Sequence, residues 1–283
     1  MALRINYNLA ASVAQRSLGS SQDNYARQAE RLATGLRINK AGDDAAGMAI
    51  SERLKNQVRG LNQDQRNAQD GISLIQTAEG AMGEAHNLLA RMRELAVQAA
   101  NDTVTSTDRS NILTEFTSLY AEIDRIATST QFNGVAILTG GSTALSLQIG
   151  ANSNNSLVND NVISLNITPG GSFYASVLSP TMTDMGVTSQ SVANLAISTL
   201  DAAINAVSTA RTSVGSMQSR LESASRSIAV ASENAAAANS RIADADIASS
   251  MSELVRAQIL QQAGISVLAQ ANQAPSLVLQ LLK

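Results

Sequence analysis

From Leu200 to Ala245 apolar residues recur at alternating spacings of three and four. The series is Leu200, Ala203, Val207, Ala210, Val214, Met217, Leu221, Ala224, Ile228, Ala231, Ala235, Ala238, Ile242 and Ala245. A period of 3.5 held over more than six heptads predicts helices packed along their length. At ~1.5 Å per residue this seam extends roughly 65 to 70 Å, which suits a rod better than the wall of a pocket. The N-terminal arm has the same character. Ala11, Leu18, Tyr25 and Leu32 fall at heptad spacing, and a break follows around Lys40-Ala-Gly-Asp-Asp44. There Gly42 and the adjacent acids favour a turn and a new helix N-terminus. A second helix is predicted from about Ala45 with Ile50, Leu54, Val58 and Leu61 on one face. Another ladder runs through Ile75, Ala78, Met82, Ala85, Leu89, Met92, Ala96 and Ala99. After a polar break at residues 101–107, Asp108 is the expected N-cap of a third helix, with Ile112, Phe116, Leu119, Ile123 and Ile126 inward.

The period then changes to two. Phe132-Asn-Gly-Val135 holds an Asn-Gly turn pair, and Gly140-Gly141 marks a further turn. Leu145, Leu147 and Ile149 alternate with polar residues, as do Ile163, Leu165 and Ile167, so this stretch reads as half-buried strands joined by Asn/Ser-rich loops. The long C-terminal helix starts near Ser189. A lone helix with so continuous a stripe cannot stay exposed, so the C-terminal seam must pack on the N-terminal ladders. The predicted fold class is mainly α: a long antiparallel coiled-coil helical rod with a small β-hairpin region in the middle of the chain. In such a fold both termini lie at one end.

The last segment departs from a one-sided stripe. Met251, Leu254, Val255, Ile259, Leu260, Ile265, Val267 and Leu268 spread around most of a helix circumference. A helix apolar on all sides must be buried on all sides. The N-terminal helix covers one side only, so other copies of the molecule must cover the rest, or the segment stays disordered until they arrive.

Composition narrows the function classes. Seven aromatic residues and no Trp stand among the 283, so Ala, Leu, Ile, Val and Met must fill the core. The formal charge of -3 and pI near 5.2 argue against a nucleic-acid or anionic-membrane binder. Charge is unevenly spread: residues 1–134 carry 29 charged side chains, residues 135–200 only Asp160 and Asp184, and residues 201–283 twelve. With no Cys there is neither a disulfide framework nor a thiolate site. The N-terminus shows no continuous apolar core of a signal peptide. Residues 257–282 carry no charge, yet their six Gln, one Asn, one Gly and one Pro are ill suited to a lipid-spanning helix.

Catalytic chemistry is poorly represented. His86 is the one imidazole, so a His-Glu-x-x-His zinc motif cannot form in one chain. No Gly-x-Ser-x-Gly elbow accompanies it, and no phosphate-cradling glycine loop is present. Asp43-Asp44 has the look of a paired carboxylate site, but two acids opening a helix serve its cap and dipole. The expectation is a protein that is not an enzyme, with no metal and no cofactor.

Several blocks resemble bacterial flagellin closely. They include Arg31-Leu-Ala-Thr-Gly-Leu-Arg-Ile-Asn-Lys-Ala-Gly-Asp-Asp-Ala-Ala-Gly-Met-Ala-Ile50, Arg91-Met-Arg-Glu-Leu-Ala-Val-Gln98, Phe132-Asn-Gly134 and Ser240-Arg-Ile-Ala-Asp-Ala-Asp246. Gln258-Ile-Leu-Gln-Gln-Ala-Gly264 and the C-terminal run from Leu268 continue the match, which covers about residues 1–135 and 190–283. Pro275-Ser276 departs from the commoner Pro-Gln of the family. The resemblance implies that residues 1–44 and 242–283 form the inner core of a flagellar filament, and that residues 45–241 form a surrounding rod with a β-rich excursion at about 135–190. Leu18, Tyr25, Leu32, Met251, Leu254, Val255, Ile259, Leu260, Ile265 and Leu268 would then pack that core. The family is similar in lacking a cleaved signal peptide, being exported through the flagellar apparatus with an export chaperone and polymerising beneath a filament cap. The resemblance also implies an extracellular location, a contact for the flagellin-sensing Toll-like receptor at Arg91, Leu95 and Glu115, and an inflammasome-sensed segment at Leu279, Leu281 and Leu282.

Two other readings compete with the self-polymerising subunit: the hook–filament junction protein of the same family, and a monomeric helical adaptor. A junction protein grows no long homopolymer, and an adaptor keeps folded, protease-resistant ends as a monomer.

Overall fold

The computed structural model describes residues 7–139, 145–151, 161–165 and 187–281, the last eight as backbone. Five helices and four short strands lie among them. The helices are α1 (Leu9–Thr34), α2 (Ala45–Ala99), α3 (Ser106–Ser129), α4 (Gln190–Ala243) and α5 (Ile247–Leu281). The strands are β1 (Gln131–Phe132), β2 (Val135–Ala136), β3 (Leu145–Gln148) and β4 (Val162–Leu165). The mainly helical class with a small β region is therefore the observed one. The chain divides into two compact units, residues 1–58 with 233–283 and residues 59–232.

The larger unit is built on the two long ladders. Contacts on α2 at Asn62, Glu79 and Arg93 meet α4 at Ser232, Arg211 and Asp201, so the two helices run antiparallel. Ile75, Met82, Leu89 and Met92 of α2 face Leu200, Val207, Val214 and Leu221 of α4, all buried. Phe116 and Ile123 of α3 close the third side, joined by Leu138 and Leu165 from the β segments. Most of these residues are the predicted seam, which follows because helical positions three and four apart share one face.

Helix ends are set by local chemistry. The side chain of Asp44 accepts the Gly47 N–H at 2.8 Å, and Asp43 accepts the Asn39 and Lys40 N–H groups at 3.1 and 3.0 Å. Those two backbone bonds hold the Asp43 carboxyl below its ordinary pKa. Gly35 ends α1 at φ 71, a left-handed conformation that a glycine adopts without strain. The β1–β2 hairpin turns on Asn133 (φ 50) and Gly134 (φ 77), the paired positive angles of a type I′ turn that the Asn-Gly signal predicts. The β3–β4 pair is antiparallel, with Leu145 opposite Leu165 and Leu147 opposite Ile163.

The two ladders between Ala45 and Ala99 belong to one 55-residue helix, α2, which makes the helix after residue 105 the third, as expected. Three readings need correction. Asp108 is not the N-cap of α3: Thr105 is, with Asp108 returning the bond three residues on in a capping box. The apolar series to Ala245 overruns its helix, because α4 stops at Ala243 and the Ala245 N–H bonds to the Gly35 carbonyl at 2.9 Å. Periodicity in small residues does not register a break of this length. Ile50, expected inward, is 41% exposed, whereas Leu54 and Val58 are half-buried and Leu61 is buried. The predicted turn at Gly140-Gly141 and the strand position Ile167 lie outside the described residues.

Candidate assembly surface

The smaller unit pairs the two ends of the chain. Asn8 bonds to Ala271, Ser21 to Ala257 and Arg37 to Ile242, so numbers rise along the N-terminal arm as they fall along the C-terminal one. The α1–α5 pair is antiparallel.

Its seam is made mostly of small or polar residues. On α1 it comprises Ala14 and Ser21, buried, with Leu18, Tyr25, Gln28 and Leu32 half-buried. On α5 it comprises Ser250 and Ala257, buried, with Leu254, Gln261, Gly264, Leu268 and Ala271 half-buried. Both sets alternate spacings of three and four, the requirement for two helices to stay in contact. The seam therefore takes up five of the predicted packing residues: Leu18, Tyr25, Leu32, Leu254 and Leu268.

The other five face outward. Met251, Val255, Ile259, Leu260 and Ile265 are exposed, with Ile259 at 60% and Leu260 at 55%. Ile247 and Val267 add to this surface, as do Tyr7, Leu9 and Val13 from the α1 side. Large apolar side chains are thus divided between the seam and the outer surface, while the fully buried seam positions are all Ala or Ser. Where α1 and α5 meet, a groove of about 720 Å³ is lined by Leu9, Val13, Ser17, Leu260, Gly264 and Val267 among others. Each large side chain that becomes fully covered gains roughly 1.5–3 kcal/mol relative to exposure, so several of them on one helix favour association.

Three polar contacts that the sequence reading missed tie the arms together. The Asn8 amide donates to the Ala271 carbonyl at 2.8 Å, and the Ser21 hydroxyl to the Ala257 carbonyl at 3.3 Å. The Arg37 guanidinium donates twice to the Ile242 carbonyl, at 3.2 and 2.7 Å, beside a β-bridge between Leu36 and Asp244. A cation on the last turn of α4 also complements that helix's dipole. Polar residues in apolar registers, Ser21 above all, were the available signal.

The remaining candidates lie elsewhere. Arg91 pairs with Glu115 of α3 at 2.9 Å and with Glu94 at 2.9 Å. Its pKa stands above the ordinary value because Glu94 and then Glu115 hydrogen-bond to it. The structure thus joins Arg91 to Glu115 on the surface, while Leu95 is 2% exposed and belongs to the core. Leu279 and Leu281 are in the last turns of α5, and Leu282 lies outside the described residues. His86 is half-buried on α2, and its Nδ1 has no hydrogen-bond partner. Asp64 of α2 is 4% exposed with Oδ2 unpartnered, and burial pushes its carboxyl above the ordinary pKa. Among the described residues no group of three or more His, Asp or Glu side chains is placed to hold a metal ion, and no helix is long and apolar enough to cross a membrane.

Paired helical ends that turn large apolar residues outward define the class first: a helical structural protein made to associate. Comparison with known proteins gives the family. Residues 5–143 match the bacterial flagellin N-terminal helical region, and residues 197–282 match the bacterial flagellin C-terminal helical region. The chain is 46% identical over 279 residues to a flagellin of Halalkalibacterium halodurans, covering 99% of each chain. It is 41% identical over 285 residues to the flagellar filament 30.7 kDa core protein of Treponema maltophilum, covering 98% of this chain and 99% of that one. In fold alone it resembles a putative flagellar hook-associated protein from Vibrio parahaemolyticus, at a TM-score of 0.55 and 15% identity over 71% of this chain and all of that one. This chain belongs to the bacterial flagellin family, whose members are structural subunits of the flagellar filament.

Proposed function

We propose that this flagellin polymerises through α1 and α5 into a hollow extracellular filament, a propeller for motility. Residues 1–44 and 242–283 line its inner core and residues 45–241 surround them. The observation that carries the reading is the outward set Met251, Val255, Ile259, Leu260 and Ile265, large apolar side chains that one partner helix leaves exposed. The occupant of that surface is another copy of the chain, and Leu18, Tyr25, Leu32, Leu254 and Leu268 hold the pair that presents it. Export through the flagellar apparatus with its chaperone, and growth beneath a filament cap, belong to the same reading. So does a contact of Arg91, Leu95 and Glu115 with a flagellin-sensing Toll-like receptor. For Leu95 that contact requires α2 or α3 to shift, because the side chain is in the core. Leu279, Leu281 and Leu282 are the corresponding proposal for the inflammasome-sensed end.

A charge placed on the outward face tests the central part. Ile259→Asp and Leu260→Asp alter exposed positions, so each variant should keep its helical signal and melting temperature while losing sedimentable polymer. Polymer at wild-type yield from both variants would remove this face from the assembly.

A further inference from the structure

Pro275 lies inside α5, which continues to Leu281. In an α-helix the N–H of residue 275 bonds to the carbonyl of residue 271, but proline has no N–H. The Ala271 carbonyl is therefore left without its helical donor. The side chain that reaches it comes from the other end of the sequence: Asn8 Nδ2 donates to Ala271 O at 2.8 Å. Asn8 is also the N-cap of α1, its Oδ1 accepting the Ala11 N–H at 3.1 Å. The two roles fix each other, because the cap claims the amide oxygen and leaves only the NH₂ group to face α5.

We propose that Asn8 is a positioning residue that sets the register of α1 against α5 by filling the carbonyl that Pro275 vacates. Half of the seam discriminates poorly. At seven-residue intervals α5 presents Ser250, Ala257, Gly264 and Ala271 to α1, four small residues in succession. A slip of one heptad superimposes small on small at these positions, and only Leu254, Gln261 and Leu268 are left to oppose it. The Ser21 bond discriminates weakly for a similar reason, since helix carbonyls recur at every residue. A carbonyl robbed of its donor occurs at one place along this stretch, so a bond to it specifies one register, with the α1 helix start tied to it. The consequence for assembly rests on the proposed polymerisation: register decides which α5 side chains border the groove next to Leu9 and Val13.

Because the chain contains no Cys, paired cysteines read register without background. A Cβ at Gly264 would stand 3.8 Å from the Leu18 Cβ, the ordinary Cβ separation of a disulfide. The double variant Leu18→Cys/Gly264→Cys reports the native register and Leu18→Cys/Ala257→Cys the register slipped by one heptad, each oxidised as dilute full-length monomer and scored as intramolecular cross-link. Asn8→Asp keeps a capping oxygen and loses the donor, and Asn8→Ser keeps a capping oxygen but loses the NH₂ group on the longer side chain. Both should lower the native-to-slipped ratio by roughly three- to tenfold, the worth of one hydrogen bond. In a Pro275→Ala background, where residue 275 again supplies an N–H, the fall should shrink to less than half. An unchanged ratio would overturn the proposal, and an equal fall in both backgrounds would also overturn it by leaving Asn8 as a cap alone. Fibre growth by the parent chain is scored separately, so a failure to polymerise would count against the assembly reading without touching the register result.

Discussion

A carboxyl buried without a partner is costly when ionised, and Asp64 is the clearest instance here. Its pKa is raised by burial, so the folded chain binds the proton more tightly than the unfolded one. The fold therefore loses stability as pH rises from the ordinary carboxylate range through the raised value, and regains it on acidification. Asp64→Asn should raise the melting temperature at neutral pH and flatten that dependence. Thermal melts of both chains across pH 4 to 8, on the order of the carboxylate window, would check it, and identical slopes would assign the pH response to other groups. At this scale the sequence was partly legible. The cap role of Asp43-Asp44 is visible in two acids followed by a helical run, and the Asn-Gly hairpin in two letters. Asn8 and Arg37 were illegible because each acts on a backbone carbonyl more than 200 positions away, and carbonyls leave no trace in a sequence pattern; Ser21 showed only as a polar residue in an apolar register. Thr105 was missed in favour of Asp108 because both are good capping residues three positions apart, and the capping box uses both.

Among the elements, α2 and α4 stand on a largely buried apolar seam, whereas the seam of α1 and α5 is mostly half-buried and mixes small, polar and large residues. That difference predicts how each pair responds to damage. Leu221 is fully buried in the α4 seam, so Leu221→Pro should cost ~3 kcal/mol or more from helix geometry alone, plus the lost packing. Circular dichroism should show the loss of cooperative melting, and a native-like melt would contradict the packing described. Among the described residues the α1–α5 pair fully buries only Ala14, Ser21, Ser250 and Ala257, which is little area to offset the ordering of some sixty residues. In the free monomer trypsin should therefore cut first at Arg16 and Arg256 and spare the α2–α4 region, and in polymer these sites should become resistant. Ends that resist trypsin equally in both states would favour the monomeric-adaptor reading. The helical elements themselves were readable because 3.5-residue periodicity survives in each. Their boundaries were less so, since Ala ladders carry across the α4–α5 break at residues 244–246 without a change of pattern.

For the whole molecule the informative quantity was the surplus of large apolar residues near the C-terminus. A chain whose last helix is apolar all round, with one partner helix available, has more surface to cover than it can cover itself. The structure gives that surplus a position, on the outer side of the α1–α5 pair. What the sequence alone could not divide was which of the ten predicted packing residues serve the internal seam and which face outward. Both sets are apolar at helical spacing, and only the phase of α5 against α1 separates them. A chain stopped after Arg256 should remain a soluble protein with the α2–α4 core intact, yet add nothing to a filament end; normal growth by it would refute the role of α5. The most direct test is electron microscopy of the full-length protein, monomerised by heat and returned to short filament seeds. Long uniform fibres growing from the seeds are the predicted result. Seeds that stay short while the protein remains soluble and folded would contradict a self-polymerising subunit and point to the single-layer junction role instead.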